Sequence, residues 1–248
     1  MKRLACLVMA LLMVFALCAC GGAKDTLVVG ITDFAPMDYK DDKGEWIGFD
    51  ADMAKAFGEY LKQDVEFIEI DWDNKIMELE AGTIDCVWNG MTLTDEVLKG
   101  MECGKPYCNN AQVVVLPADK AAEYQDEASL AGLVFAVEAG SAGEGAVQAL
   151  GNEYTAVGTQ ADALMEVAAG TSDACVIDLL MAGAMIGEGT SYPDLTYTVK
   201  LTTEEYGVGF KKGSGMAEKY NDFYAKAFAD GTVLEIAKKY GVQESIIG

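Results

Sequence analysis

The chain has 248 residues, 40 acidic side chains against 18 basic ones, no histidine and a formal charge of −22. Nucleic acid is excluded as a partner, because phosphate binding needs basic clusters that this sequence lacks. The missing imidazole removes histidine-based zinc sites and the triads and general bases that depend on it, so neither a metal nor a cofactor is expected.

Residues 1–20 differ in kind from the rest of the chain. Lys2 and Arg3 precede an apolar run from Leu4 to Leu17 that ends in small residues. The run is short of the roughly 20 residues a membrane-spanning helix needs, and the layout is that of an export signal. Leu17-Cys18-Ala19-Cys20 resembles a bacterial lipobox, with Cys20 lipidated as the mature N-terminus; an ordinary signal peptide cleaved nearby is the alternative. Acyl chains contribute about 0.8 kcal/mol per buried methylene, so two or more hold a protein firmly on a membrane. Only residues 21–25 separate Cys20 from the first expected strand, which places the body close to the outer face of the cell membrane.

The stretch 27–31 reads as a strand and 65–70 as another. Met53, Ala56, Phe57, Tyr60 and Leu61 between them mark one face of a helix, so the three make a right-handed βαβ unit. The segment 76–85 then reads as a helix closed by Gly82, followed by a buried strand from Cys86. Cys103 and Cys108 have a spacing that could close a disulfide, whereas Cys86 and Cys175 read as small core residues and no CxxC spacing points to zinc. A β-branched strand at 112–116 leads into a polar, acidic stretch from Pro117 to Ala128. A second α/β unit opens at 133–137, passes Gly140-Ser141-Ala142-Gly143 and runs to Asp178. Strands near 197–199 and 207–210 follow, and then two amphipathic helices separated by Asp230-Gly231.

The segments Ile76-Met77-Glu78-Leu79-Glu80-Ala81-Gly82-Thr83-Ile84-Asp85 and Leu164-Met165-Glu166-Val167-Ala168-Ala169-Gly170-Thr171-Ser172-Asp173 share Met, Glu, Ala, Gly, Thr and Asp in register without a gap. A chance echo of a common helix-turn-strand is the alternative to a duplicated unit. Two similar α/β lobes make a clamp, because ligands of open α/β sheets bind outside the carboxyl ends of the strands. Asn89, Gly90, Met91 and Thr92 after one copy, and Asp178 after the other, are therefore expected to face a ligand.

These residues resemble the family 3 extracellular solute-binding proteins, the amino-acid receptors of ABC importers. Gly48-Phe49-Asp50-Ala51-Asp52 is similar to the family's GFDxD, Gly82-Thr83-Ile84-Asp85 to its GxxD, and Asn89-Gly90-Met91-Thr92-Leu93-Thr94 to its GMTxT segment. Pro106-Tyr107, Gly140-Ser141-Ala142-Gly143-Glu144 and Tyr206-Gly207-Val208-Gly209-Phe210 resemble the PY pair, the GSxGE turn and the YGxxx strand. The resemblance implies an α/β fold, a two-lobed periplasmic-binding-protein-like clamp of type II with two hinge strands near 112–116 and 199–204. Residues 25–113 with 204–248 would form the first lobe and 114–203 the second, behind the leader 1–20. It further implies that Asp178 takes a ligand ammonium group, that Thr92 and Gly90 help hold a carboxylate, that Ser141 and Ala142 open an anion-binding helix start, and that Phe34 and Trp72 are aromatic walls.

One departure stands out. The family's TxxR pattern supplies an arginine that clamps the ligand carboxylate, and Thr94-Asp95-Glu96-Val97 has Val97 there, with Lys99 as the only basic residue nearby in the sequence. Either backbone groups near Ser141 and Thr92 take over, or the ligand lacks that carboxylate. With Asp33, Glu138 and Asp178 as candidate cleft acids, the reading leans towards an amine-bearing or cationic ligand, each acid being alternatively plain solvated surface. The expected function is a lipid-tethered receptor that captures an amino acid or related amine and delivers it to ABC permease subunits. A dehydratase-type enzyme and a membrane sensor on the same fold are the other classes, and an enzyme is not expected, because no nucleophile with an activating base is evident.

Overall fold

A computed structural model describes residues 26–248; the leader and Cys20 lie outside the described residues. The first half opens with β1 (Thr26–Ile31), a hairpin of β2 (Tyr39–Lys40) and β3 (Trp46–Ile47), helix α1 (Phe49–Leu61) and β4 (Asp64–Glu69). Helix α2 (Lys75–Ala81), β5 (Cys86–Val87), α3 (Asp95–Gly100), β6 (Glu102–Cys103) and β7 (Cys108–Asn110) follow. The second half contains β8 (Gln112–Pro117), β9 (Phe135–Glu138), α4 (Ala142–Leu150), β10 (Tyr154–Val157), α5 (Gln160–Ala169), β11 (Ala174–Asp178), α6 (Leu179–Met185) and β12 (Leu195–Lys200). The chain then returns through β13 (Glu204–Tyr206) and β14 (Gly209–Phe210) to α7 (Met216–Ala229) and α8 (Thr232–Lys239).

Two five-stranded sheets result, ordered β4-β1-β5-β14-β6 and β10-β9-β11-β8-β12. The run Leu27-Val28-Val29-Gly30-Ile31 is buried on both faces, as a strand with parallel neighbours on each side must be, and it pairs in parallel with β4 and β5. The βαβ unit is present as expected. Helix α1 buries Phe49, Met53, Ala54 and Phe57, whereas Tyr60 is exposed, so the buried stripe sits towards the start of the helix. Phe57 lies at the centre of an aromatic cluster with Trp88, Phe210, Tyr220 and Phe223, at ring-centroid distances of 5.2 to 6.3 Å. Such contacts contribute about 0.5–1.5 kcal/mol each beyond area burial. They fasten α7 onto the first sheet.

The two repeated segments make matching hydrogen bonds. Both helices end on a glycine in the left-handed region, Gly82 and Gly170. Thr83 Oγ1 donates to the Glu78 carbonyl at 2.8 Å and to the Glu78 carboxylate, and Thr171 Oγ1 repeats this on Glu166, with 2.9 Å to the carbonyl. Asp85 Oδ2 accepts from the Val28 N–H at 2.9 Å, and Asp173 Oδ2 accepts from the Val134 N–H at 3.0 Å. Cys86 and Cys175 continue as buried core residues.

One expectation is corrected and two open points are filled in. The strand at 112–117 lies wholly inside the second sheet, between β11 and β12, and the separate antiparallel pair β7–β13 joins the halves instead (Asn110 opposite Glu204, Cys108 opposite Tyr206). The polar stretch after Pro117 is folded into short 3₁₀ turns over Ala118–Glu123 and Glu127–Leu130. Cys103 and Cys108 are free thiols on strands of different sheets, and burial raises both, Cys103 to about 11. Among the described residues no helix is long and apolar enough to cross a membrane.

Candidate functional site

The carboxyl ends of β4, β5, β9, β10 and β11, from both sheets, converge on one cleft. After β4 come Trp72 and Lys75; after β5, residues 89–92; after β9, Gly140 and Ser141, with Glu138 ending that strand; after β10, Gln160; and Asp178 ends β11. Of the residues expected there, Trp72, Asn89, Gly90, Met91, Thr92, Glu138, Ser141 and Asp178 line the cleft. Asp33, Phe34 and Ala142 do not. Asp33 is exposed, within electrostatic reach of Glu69 and Lys40. Phe34 is buried beneath Gly90 and packs edge-on against Tyr206, with ring centroids 6.3 Å apart. Ala142 is the first residue of α4, and Ser141 caps that helix by accepting from the Glu144 N–H at 3.1 Å.

The loop after β5 is held from below. Gly90 adopts φ 55°, and a Cβ there would stand 2.2 Å from the Phe34 ring, so both conformation and space require glycine. Its N–H donates to Asp50 Oδ2 at 2.6 Å, where the Tyr107 hydroxyl also donates at 2.6 Å. Burial raises the Asp50 carboxyl and these two bonds oppose the shift. Asn89 spends its amide on Thr32, donating to Oγ1 at 3.1 Å and accepting from the backbone N–H.

Asp178 sits at the base of the cleft, where the halves meet. Its Oδ1 accepts from the Tyr206 hydroxyl at 2.6 Å, from Gln112 Nε2 at 3.1 Å and from Asn110 Nδ2, and its Oδ2 accepts from Gln160 Nε2. Glu204 Oε1, on β13, accepts from Thr92 Oγ1, Asn110 Nδ2 and Gln112 Nε2, each at 2.8 Å. Asn110 and Gln112 thus each tie one carboxylate to the other. Burial raises the Asp178 carboxyl, Glu204 adds to the rise, and the bonds from Tyr206 and Gln160 oppose it. Glu138 is buried and raised to about 8, by burial first and then by Asp178, against the pull of Lys75.

Lys75, Gln160, Gly140, Thr94 and Glu96 also line the cleft and were not anticipated as ligand-facing from the sequence, and Val97, at the arginine position of the family pattern, lines it too. Trp72–Asn74 is a 3₁₀ turn, which brings residues i and i+3 into line, and the Lys75 ammonium stands 4.8 Å from the Trp72 ring centroid. A lysine three positions after an aromatic residue at a strand end was the available signal. Gln160 begins α5 directly after its Thr159 cap, another strand-to-helix position of the kind that faces ligands. Lys99 is exposed away from the cleft, its carbonyl accepting from Lys212.

The sequence profile of the bacterial extracellular solute-binding proteins, family 3, matches residues 27–243. A probable histidine-binding protein of Neisseria gonorrhoeae is 29% identical over 92% of this chain and 92% of its own length. Among solved structures, an ancestral arginine-binding protein bound to glutamine superposes with a TM-score of 0.82 at 30% identity, over 88% of this chain and 98% of that one. An ancestral amino acid-binding protein described as a precursor of cyclohexadienyl dehydratase gives 0.80 at 29% identity, over 87% and 95%. With a profile match across nearly all the described residues and a cleft built from both halves, this chain belongs to the bacterial extracellular solute-binding proteins, family 3.

Proposed function

We propose that the chain is the substrate receptor of an ABC importer, tethered by a lipid on Cys20 to the outer face of the cell membrane, and that it closes its two lobes on an amino acid or related amine. The observation that carries the reading is Asp178. It is a buried carboxyl at the meeting point of both lobes, with Oδ1 filled by three donors and Oδ2 by one, which leaves acceptor capacity for a ligand ammonium group. The pair β7–β13 serves as the hinge, since it belongs to neither main sheet and carries Asn110 and Glu204 of the network beneath the ligand. A small rotation there opens the cleft without breaking either sheet.

The likeness to a dehydratase precursor favours a second reading, turnover of the bound compound. A thermal-shift screen of the purified protein against free amino acids, their amides and simple amines tests both. A ligand-dependent rise in Tm, lost in Asp178→Ala and with the ligand recovered chemically unchanged, is the expected result. Conversion of the recovered compound would favour the enzyme, and full affinity in Asp178→Ala would remove the ammonium site. Cys20→Ala should release the protein from the membrane fraction.

A further inference from the structure

Lys75 is 6% exposed, and its Nζ donates to the carbonyl of Trp72 at 3.1 Å and, across the cleft, to that of Gly140 at 2.8 Å. An ammonium group has three N–H donors. Two are spent here, both on neutral acceptors. Among the described residues the ion pairs closer than 4.0 Å are Lys40–Glu69, Lys55–Asp52 and Lys239–Asp52, so no carboxylate of the protein sits on Lys75. A buried cation without a counter-ion is costly to hold, and proteins keep such groups paired or use them. Burial lowers the Lys75 pKa, while Glu96, Glu138, Asp73 and Glu144 oppose the shift from longer range.

The surroundings of this ammonium suit an anion. The carbonyl it holds belongs to Gly140, directly before the Ser141 cap of α4, so Nζ lies beside a helix start where the local dipole is positive; the Glu144 carboxylate accepts from the Gly140 N–H there at 2.7 Å, and Ser141 Oγ accepts from the Glu144 N–H at 3.1 Å. Val97, buried in the same cleft at the position where the family pattern carries arginine, offers no charge. Burial pushes the Glu138 carboxyl up, which weakens its pull on the lysine. The cleft thus carries a buried carboxyl at Asp178 and a buried ammonium at Lys75.

We propose that Lys75 is the specificity-determining cation that receives the ligand's carboxylate in place of the absent arginine, so that the cleft selects zwitterionic amino acids over their amides and decarboxylated amines. The proposal rests on the receptor reading above and reverses the sequence-based leaning towards a ligand without a carboxylate.

The test is isothermal titration of the purified protein with the free amino acids, arginine and histidine included, and with the matched carboxamides and amines, argininamide, agmatine, histidinamide and histamine among them. At least one free acid should bind the wild type about 100-fold more tightly than its amide, the scale expected for a buried charge left unpaired. Lys75→Met should remove that preference, and Lys75→Arg should keep most of it. The Lys75 side-chain ¹⁵N resonance should titrate at higher pH with the acid bound than with the protein alone, a response that a purely structural lysine would not give. Amides or amines binding the wild type as tightly as the acids would overturn the role of Lys75 while leaving the receptor intact. Equal losses for acid and amide in Lys75→Met, with an unmoved ¹⁵N titration, would reduce Lys75 to a latch on Gly140. Binding by none of the compounds would defeat the receptor reading as well.

Discussion

Glu138 shows how a buried carboxyl contributes a pH response in a chain without histidine. Burial pushes its carboxyl from the ordinary 4.5 up to about 8 in the folded cleft, so across that window the folded state holds a proton that the unfolded state has released. The unfolded state binds fewer protons there, and stability must fall as pH rises through the window; below it the contribution is complete. Asp50 and Asp178, raised to about 7 and about 8, act in the same sense, so the Tm of the ligand-free protein should decline from pH 5 to pH 8 and Glu138→Gln should make the decline shallower without abolishing it, measured by scanning calorimetry in buffers of constant ionic strength. At this scale the sequence was partly legible. Glu138, Asp178 and the small residues after β5 and β9 could be placed at the cleft because they follow strand ends, although Asp33 after β1 could not. Lys75 could not, because its place in the cleft is fixed by a bond to Gly140, which comes from the other lobe and is distant in sequence. Phe34 failed for a related reason: its ring supports Gly90 from beneath, and spacing along a strand does not tell the upper side of a loop from the lower.

At the level of elements, the duplicated helix-turn-strand was readable because its residues act locally. The glycine ends the helix, the threonine caps the glutamate and the aspartate grips the start of a neighbouring strand. These roles are equal in the two copies but the surroundings are not. Asp85 is half-buried and Asp173 exposed, so Asp85→Ala should lower stability by about 1–2 kcal/mol and Asp173→Ala by less than about 1 kcal/mol, measured by urea unfolding. The joining strands were misplaced because they are short and polar, Cys108-Asn109-Asn110 against Glu204-Glu205-Tyr206, with no alternation to reveal them. Helix α6 was missed because its apolar run continues that of β11, and periodicity alone does not divide the two. Gly140 is where the lobes touch: it has φ 69°, and a Cβ there would lie 2.7 Å from Asp73 Cα in the opposite lobe. Gly140→Ala should hold the lobes apart, weakening ligand binding by about tenfold or more while costing about 1 kcal/mol in stability, as read by titration and by small-angle scattering with and without ligand.

For the whole molecule, the fold class was legible because composition, the repeat and the order of motifs agreed. The acidity has its own consequence: a charge of −22 on 248 residues repels itself in the compact state. Raising ionic strength from about 0.01 to 0.15 M shortens the screening length from roughly 30 to 8 Å, and should raise the Tm; a Tm unchanged or lowered by salt would show that paired charges dominate instead. The strand order of the first sheet has a different implication. β14, among the last strands made, lies between β5 and β6, which are made much earlier, whereas the second sheet is complete once β12 exists. During synthesis or translocation the second lobe can therefore close as a continuous segment, while the first must keep a gap beside β5 until residues 209–210 arrive and α7 can cover the exposed aromatic cluster. The first lobe to begin is thus the last to finish, and the binding cleft comes into existence only when the final third of the chain has folded back.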